Sequence, residues 1–262
     1  FCQLLAAGLL LASNGRTGLA EVEPLECGTC LFGVEERVLV RLDGLQECTC
    51  DDLEIYGQDL FDSVDEGLFQ GVQELGGLRL TSETVQELPA GLFSGLSRLY
   101  TLKLTMNEVK ALPSKIFEDL PKLRYLELDW FPLGELPADI LNGLTKLATL
   151  SVRNHQLSAL PQGLLDGSPK LYSVDFGGGN IASVPDDLLA RQTSLGSLNL
   201  KENKLRSLPS GFIQSVGLEH LVLNDNELIS LPDDFFRVTR GHLLALVPLV
   251  RYLYGLFWAY VD

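Results

Sequence analysis

The chain has 262 residues and sets 20 Lys+Arg against 35 Asp+Glu, a formal net charge of −15. That acidity argues against a nucleic-acid binder, because phosphate recognition depends on clustered Lys and Arg and no such cluster appears along the chain. With 46% hydrophobic and 21% charged residues, the chain is too apolar to be disordered and long enough to bury a large core.

Residues 1–20 read as a secretory leader. Leu4 to Ala12 is an apolar run too short to span a bilayer, and Gly18-Leu19-Ala20 offers a small-x-small cleavage site. The competing reading packs the same run on the core as an N-terminal helix. Residues 21–52 hold Cys27, Cys30, Cys48 and Cys50, an even set that in a secreted context reads as two disulfides. A bridge within Cys48-Thr49-Cys50 would be strained, so each of Cys27 and Cys30 is expected to pair with one of Cys48 and Cys50, in either crossing. A zinc site built from the same four thiolates is the alternative. No Asn-x-Ser/Thr sequon occurs.

Residues 53–236 repeat. Leu75, Leu99, Leu123, Leu147, Leu171 and Leu195 share one phase at a spacing of 24, and Leu218 follows one residue early. Each unit runs L-x-x-L-x-L, as in Leu99-x-x-Leu102-x-Leu104, and then reaches a Leu-Pro or Val-Pro step. These steps end at Pro89, Pro113, Pro137, Pro161, Pro185, Pro209 and Pro232, and two apolar residues follow, as in Leu92-Phe93 and Ile116-Phe117. A degenerate unit precedes the series, with Leu53, Ile55, Leu60, Val64 and Leu68-Phe69.

The alternation x-L-x-L predicts a short strand that buries its leucines and turns the residues between them to solvent. Such a strand is not stable alone, so units are expected to stack into a parallel sheet over one continuous core. The proline denies a ladder hydrogen bond and forces a turn before the outer segment.

These units resemble the leucine-rich repeat family in its 24-residue extracellular form, and the cysteine cluster resembles that family's disulfide-bonded N-terminal cap. The resemblance implies an α/β-type repeat solenoid, a curved horseshoe with a parallel β-sheet on its concave face and short irregular or helical segments on its convex face. It also implies binding of a protein or other macromolecule in the concavity. In this family the ninth position of the unit is usually Asn, whose side chain ties adjacent turns together. Here Asn107, Asn203 and Asn226 occupy it in three of seven units, and Glu83, Phe131, His155 and Gly179 in the others. An incomplete ladder is therefore expected, with faster amide exchange at Phe131, His155 and Gly179 than at Asn203 and Asn226.

Residues 237–262 depart from the pattern. No further unit or cysteine is read after Phe236, and Leu243 to Val261 is an apolar run interrupted by Pro248, Arg251 and Gly255. A packed cap, or a misread gene end, is expected in preference to a membrane span, because Arg237 and Arg240 precede the run and only Asp262 follows it, an orientation that conflicts with a leader.

The sequence contains no G-x-S-x-G elbow, no H-E-x-x-H and no phosphate loop, and Gly177-Gly178-Gly179 reads as a turn. A non-enzymatic chain without cofactor or metal is expected. In a solenoid, folding sets the inward leucines, and only the outward strand positions are free to encode a partner. Three neighbouring units present Thr101, Lys103, Thr105 and Met106; Tyr125, Glu127, Asp129 and Trp130; and Thr149, Ser151, Arg153 and Asn154. Of these, Lys103, Met106, Tyr125, Glu127, Asp129, Trp130, Ser151 and Arg153 are expected to bind the ligand, since exposed aromatics flanked by both charge signs resemble an interface hot spot. Trp130 is alternatively a core substitute for the missing Asn. Ser173, Asp175, Gly177, Ser197, Asn199 and Lys201 read as rim. The expected protein is a secreted or cell-surface binder of a protein or other macromolecule, not of nucleic acid. A self-associating matrix component and an intracellular scaffold are the alternatives.

Overall fold

The computed structural model describes residues 2–5, 25–27, 30–41, 50–57, 59–213, 217–232, 235 and 244–246. Among the described residues fourteen strands form two sheets. The smaller sheet is a cap: β2 (Leu25–Cys27), β3 (Cys30–Glu35) and β4 (Val38–Arg41) run antiparallel, and β6 (Ser63–Val64) joins β4 in parallel. Glu36 and Arg37 turn the β3–β4 hairpin with φ of 46° and 64°, the left-handed pair that a two-residue hairpin requires. The Arg37 guanidinium then grips Asp62 with two hydrogen bonds.

The larger sheet is the solenoid. Its spine is β5 (Asp52–Tyr56), β7 (Gly77–Ser82), β8 (Thr101–Met106), β9 (Tyr125–Asp129), β10 (Thr149–Arg153), β11 (Ser173–Asp175), β12 (Ser197–Asn199) and β13 (His220–Val222). All neighbours are parallel, and equivalent residues of successive units stand opposite one another, as in Leu102↔Leu126 and Leu126↔Leu150. The degenerate first unit thus supplies a full strand, β5.

Two further strands flank this spine. β1 (Cys2–Leu5) lies parallel to β5 with Cys2 opposite Leu53. At the far end β14 (Leu244–Leu246) pairs with β13, His220 opposite Leu244. No further unit was expected after Phe236, yet the backbone adds one more strand at the same 24-residue spacing, where Ala245 stands opposite Leu221. The rest of the apolar tail lies outside the described residues, and among those described no helix is long and apolar enough to cross a membrane.

Each turn of the solenoid is built the same way. The proline carbonyl accepts the first hydrogen bond of the outer segment, from Leu92 to Pro89 at 3.1 Å, Ile140 to Pro137 at 3.1 Å and Leu188 to Pro185 at 3.2 Å. Proline contributes no donor of its own, so it fits where only its acceptor is needed. The outer segments are successive turns, and the apolar pair after each proline points inward. Phe69, Phe93 and Phe117 stack at centroid distances of 6.3 and 5.8 Å, and Phe32 of the cap joins Phe69 at 6.4 Å. This aromatic file ties the cap hairpin to the repeats, each pair adding about 0.5–1.5 kcal/mol beyond burial.

The eighth position of the unit divides the solenoid in two. In β7 and β8 the extended backbone continues through Ser82 and Met106, which are fully buried and stand opposite each other. From the next unit onward the same position is left-handed, at Trp130, Asn154, Gly178, Glu202 and Asp225, with φ between 54° and 76°. At Trp130 and Asn154 the left-handed residue directly ends β9 and β10, and it swings the ninth residue inward. Phe131, His155 and Asn203 are buried accordingly, whereas Glu83 and Asn107 are exposed. Two expectations are corrected by this. Met106 does not face solvent, because one more extended residue places it on the leucine face. Asn107 does not belong to the ladder, because its strand never turns before it.

The ladder itself is more complete than expected. Asn203 donates to the carbonyls of Phe176, Leu200 and Lys201 and accepts from Ile181 N–H at 3.0 Å. Asn226 repeats this one unit on, accepting from Leu205 N–H at 3.0 Å and donating to Leu200, Leu223 and Asn224. His155 takes the same part: its Nδ1 accepts from Leu157 N–H at 3.1 Å and its Nε2 lies 3.2 Å from the Phe176 carbonyl. Accepting at Nδ1 requires the proton on Nε2, so the neutral imidazole is the form that fits. In the first units Ser82 substitutes, its Oγ accepting from Thr84 and Val85 N–H.

Candidate functional site

The concave surface is built by the half-exposed residues that alternate with buried leucines. Strand pairing fixes its rows. One row runs Arg79, Lys103, Glu127, Ser151, Asp175 and Asn199, and the next runs Thr81, Thr105, Asp129 and Arg153. Neighbours in a row stand about 4.8 Å apart, so side chains 24 residues apart in sequence become adjacent.

The charged members are joined in one network. Glu127 receives Lys103 Nζ at 3.1 Å on one side and Arg153 Nη2 at 3.6 Å on the other. Arg153 also reaches Asp129 at 3.1 Å, and Asn154 Nδ2 donates to the second Asp129 oxygen at 2.7 Å. Arg79 and Glu54 pair at 3.8 Å nearer the cap, beside Tyr56. Lys103, Glu127, Asp129 and Arg153 are thus brought together as expected, with Ser151 beside Glu127 in the same row. Partial exposure limits each pair to about 1 kcal/mol or less; the result is a fixed pattern of charge with little stability in it.

The aromatic members flank the network without touching each other's row. Tyr125 starts β9 and is 47% exposed, while Trp130 lies past its end and is 58% exposed. Phe131 is fully buried. It is therefore Phe131, restricted to extended backbone by Pro132, that fills the core where Asn is usual. Trp130 carries its ring outward at φ 60°, a conformation unfavourable for a bulky side chain.

Further along, the strands shorten for a local reason. Asp175 Oδ1 accepts from Gly177 N–H at 2.8 Å and Asn199 Oδ1 from Lys201 N–H at 3.0 Å. These side-chain turns end β11 and β12 after three residues. The rim assignment at Asp175 and Asn199 thus describes residues that shape backbone. Two exposed tyrosines, Tyr100 and Tyr172, lie just before their strands, outside the alternation that marks partner-facing positions in the sequence.

In the cap, Cys50 is buried and disulfide-bonded, which disfavours the reading with four zinc-binding thiolates. Cys27 and Cys30 stand opposite each other as backbone partners in the β2–β3 hairpin. Cys48 lies outside the described residues, and so do the side chains of Cys27 and Cys30.

The parallel sheet, the 24-residue turns and the asparagine ladder define a leucine-rich repeat solenoid, and the comparisons agree. The Leucine rich repeat family model matches residues 73–133 and 169–228. A solved leucine-rich repeat protein of Leptospira interrogans superposes with a TM-score of 0.64 at 26% identity, covering 75% of this chain and 48% of that one. A chain of a TLR13–ssRNA13 complex superposes with a TM-score of 0.62 at 21% identity, covering 74% of this chain and 27% of that one, a likeness of fold alone. This chain therefore spans about half the length of the first structure and about a quarter of the second. No curated protein sequence matches it. The chain is thus a leucine-rich repeat solenoid.

Proposed function

We propose that this chain is a non-enzymatic recognition module that binds a protein partner on its concave face, centred on Lys103, Tyr125, Glu127, Asp129, Trp130, Ser151 and Arg153. Met106 drops out of the set because it is core. The observation that carries the reading is Trp130, a large aromatic side chain 58% exposed on a backbone at φ 60°. The next unit places Asn154 at the same point with φ 56°, a residue that tolerates this conformation. Folding gains nothing from a tryptophan there, whereas a partner gains a rigid aromatic anchor beside a preset charge pattern. A net charge of −15 favours a protein over the single-stranded RNA named with the TLR13 chain.

The proposed setting is the extracellular space or the secretory lumen. The disulfide at Cys50 supports it, whereas Cys2–Leu5, read as part of a leader, lie in the sheet beside β5 and do not. The expected pairing still joins Cys27 and Cys30 to Cys48 and Cys50. Screening an array of purified extracellular domains with wild-type protein and with Tyr125→Ala and Trp130→Ala variants tests the reading. A partner bound by wild type and lost by both variants, with unchanged melting, supports it. A partner retained equally by both variants places recognition elsewhere.

A further inference from the structure

We propose a second docking surface, the edge of the sheet where the strands begin, which receives an extended acidic segment of a partner protein. The residue before the first leucine of the unit is basic in four consecutive turns: Arg98, Lys122, Lys146 and Lys170, each 24 residues from the next. All four are exposed. The strands that follow are paired in register, Thr101 to Tyr125 to Thr149 to Ser173. The four cations therefore form a column at steps of about 4.8 Å, roughly 14 Å long. Arg124 adds a fifth exposed cation beside it. The repeat thus assembles in space a basic cluster that is nowhere a run in the sequence.

These charges are available in a way that the concave ones are not. Arg79, Lys103 and Arg153 are each bound to a carboxylate inside the concave network. Along the edge Arg98 meets Glu74, but among the described residues no carboxylate pairs with Lys122, Arg124, Lys146 or Lys170. In a chain with 35 acidic side chains against 20 basic ones, four neighbouring cations left without a partner mark a surface whose counter-charge comes from outside.

The same edge carries seated aromatic rings. Tyr100, Tyr125 and Tyr172 are 47%, 47% and 51% exposed. A methyl group at Gly76 would come within 2.7 Å of the Tyr100 ring, and one at Gly196 within 2.5 Å of the Tyr172 ring. Both rings lie over glycines of adjacent turns, held flat and outward before any partner arrives. Tyrosine fixed in this way supplies contact area and a hydroxyl at low entropic cost.

An extended peptide fits this column. Alternate side chains on one face of a strand repeat at about 6.6 Å, so three acidic residues span roughly 13 Å; the Tyr172 hydroxyl donates to Glu219 at 3.3 Å, so the rings offer their faces to the peptide. A polyanion of high charge density such as nucleic acid meets the repulsion of the remaining acidic surface over its whole length; a short segment with a few charges does not.

The test uses the whole chain and a short fluorescein-labelled peptide of alternating Glu and Thr, read by fluorescence anisotropy. The comparison probes are the Gln-for-Glu peptide, a heparin oligosaccharide and a single-stranded oligonucleotide. Binding of the Glu peptide should weaken about tenfold in the triple variant Lys122→Ser, Lys146→Ser, Lys170→Ser and fall further at high salt, with melting unchanged. The triple variant Lys110→Ser, Lys115→Ser, Lys204→Ser removes the same charge elsewhere and should bind as wild type does, as should Trp130→Ala on the concave face. Equal losses in both triple variants, equal binding of the Gln peptide, or no binding of the Glu peptide would overturn the proposal. So would tighter binding of either polyanion, or sedimentation showing self-association through this edge, which would make a second copy the occupant.

Discussion

The imidazole of His155 occupies the space that a side chain at position 179 would need: a methyl group on Gly179 would lie 1.9 Å from His155 Cε1. The two residues hold the same place in successive units, and one is large because the other is absent. His155 reaches forward to the Phe176 carbonyl at 3.2 Å, and Asn203 reaches back to the same oxygen at 2.7 Å. A histidine, a glycine and an asparagine thus carry the ladder across three turns.

This pairing predicts a non-additive mutant cycle. Gly179→Ala should destabilise the protein by about 2–3 kcal/mol through overpacking. In a His155→Ala background the same change should cost less than about 1 kcal/mol, because the obstructing ring is gone. Urea unfolding of the four proteins measures the coupling, and additive costs would show that the imidazole is not what Gly179 accommodates.

His155 also predicts a pH dependence. Burial holds its pKa below the ordinary 6.5, against smaller opposing contributions from the Phe176 carbonyl and Asp175. The unfolded chain therefore binds a proton at a higher pH than the folded one does. The stability this group contributes is complete above about 6.5 and is lost as pH falls from there toward its folded value. The urea midpoint should drop between pH 7.5 and 5.5, and His155→Asn should flatten that drop. An unchanged slope in the variant would assign the effect to other groups.

Position eight of the unit yields opposite outcomes in neighbouring turns. Met106→Ala opens a cavity and should cost about 2–4 kcal/mol. Trp130→Asn relieves an unfavourable backbone and should stabilise by about 1 kcal/mol. Thermal melts of the two variants decide this, and a destabilised Trp130→Asn would mean that the indole supports the fold.

Much of the fold was legible because its signal is periodic. The positions of Leu99, Leu102 and Leu104 are apolar in every turn, with Val152, Val174 and Phe176 as the substitutes for leucine from Leu75 to Leu223, and a period needs no knowledge of neighbours. The position of Met106 was not legible, because whether the eighth residue extends or turns left-handed is decided by competition with the ninth. Met106 buries more apolar area than Asn107 and wins the core; Phe131 wins over Trp130, helped by Pro132. The role of His155 was hidden for a related reason: it depends on the missing side chain of Gly179, a full turn away. Of the candidate site, the charges Lys103, Glu127, Asp129 and Arg153 could be placed together from strand spacing alone. Their mutual pairing could not, since it depends on side-chain reach.

The ladder predicts an exchange pattern that differs from a simple count of asparagines. Leu157 N–H, held by His155, should be protected about as well as Ile181 and Leu205 N–H, held by Asn203 and Asn226. Asn203→Ala should cost about 2–4 kcal/mol, because it strands the Ile181 N–H and weakens the Phe176 carbonyl's bonding. Hydrogen exchange by NMR reads both, and fast exchange at Leu157 would deny His155 its place in the ladder.

The central claim, recognition on the concave face, is tested most directly by site-specific photo-cross-linking with a partner from the extracellular array. A photoreactive phenylalanine is placed in turn at Ser151 on the concave face and at Asp187 on the outer turns. Cross-links from Ser151 and none from Asp187 are the predicted result. Cross-links from Asp187 alone would contradict the account and move the binding surface to the convex side of the solenoid.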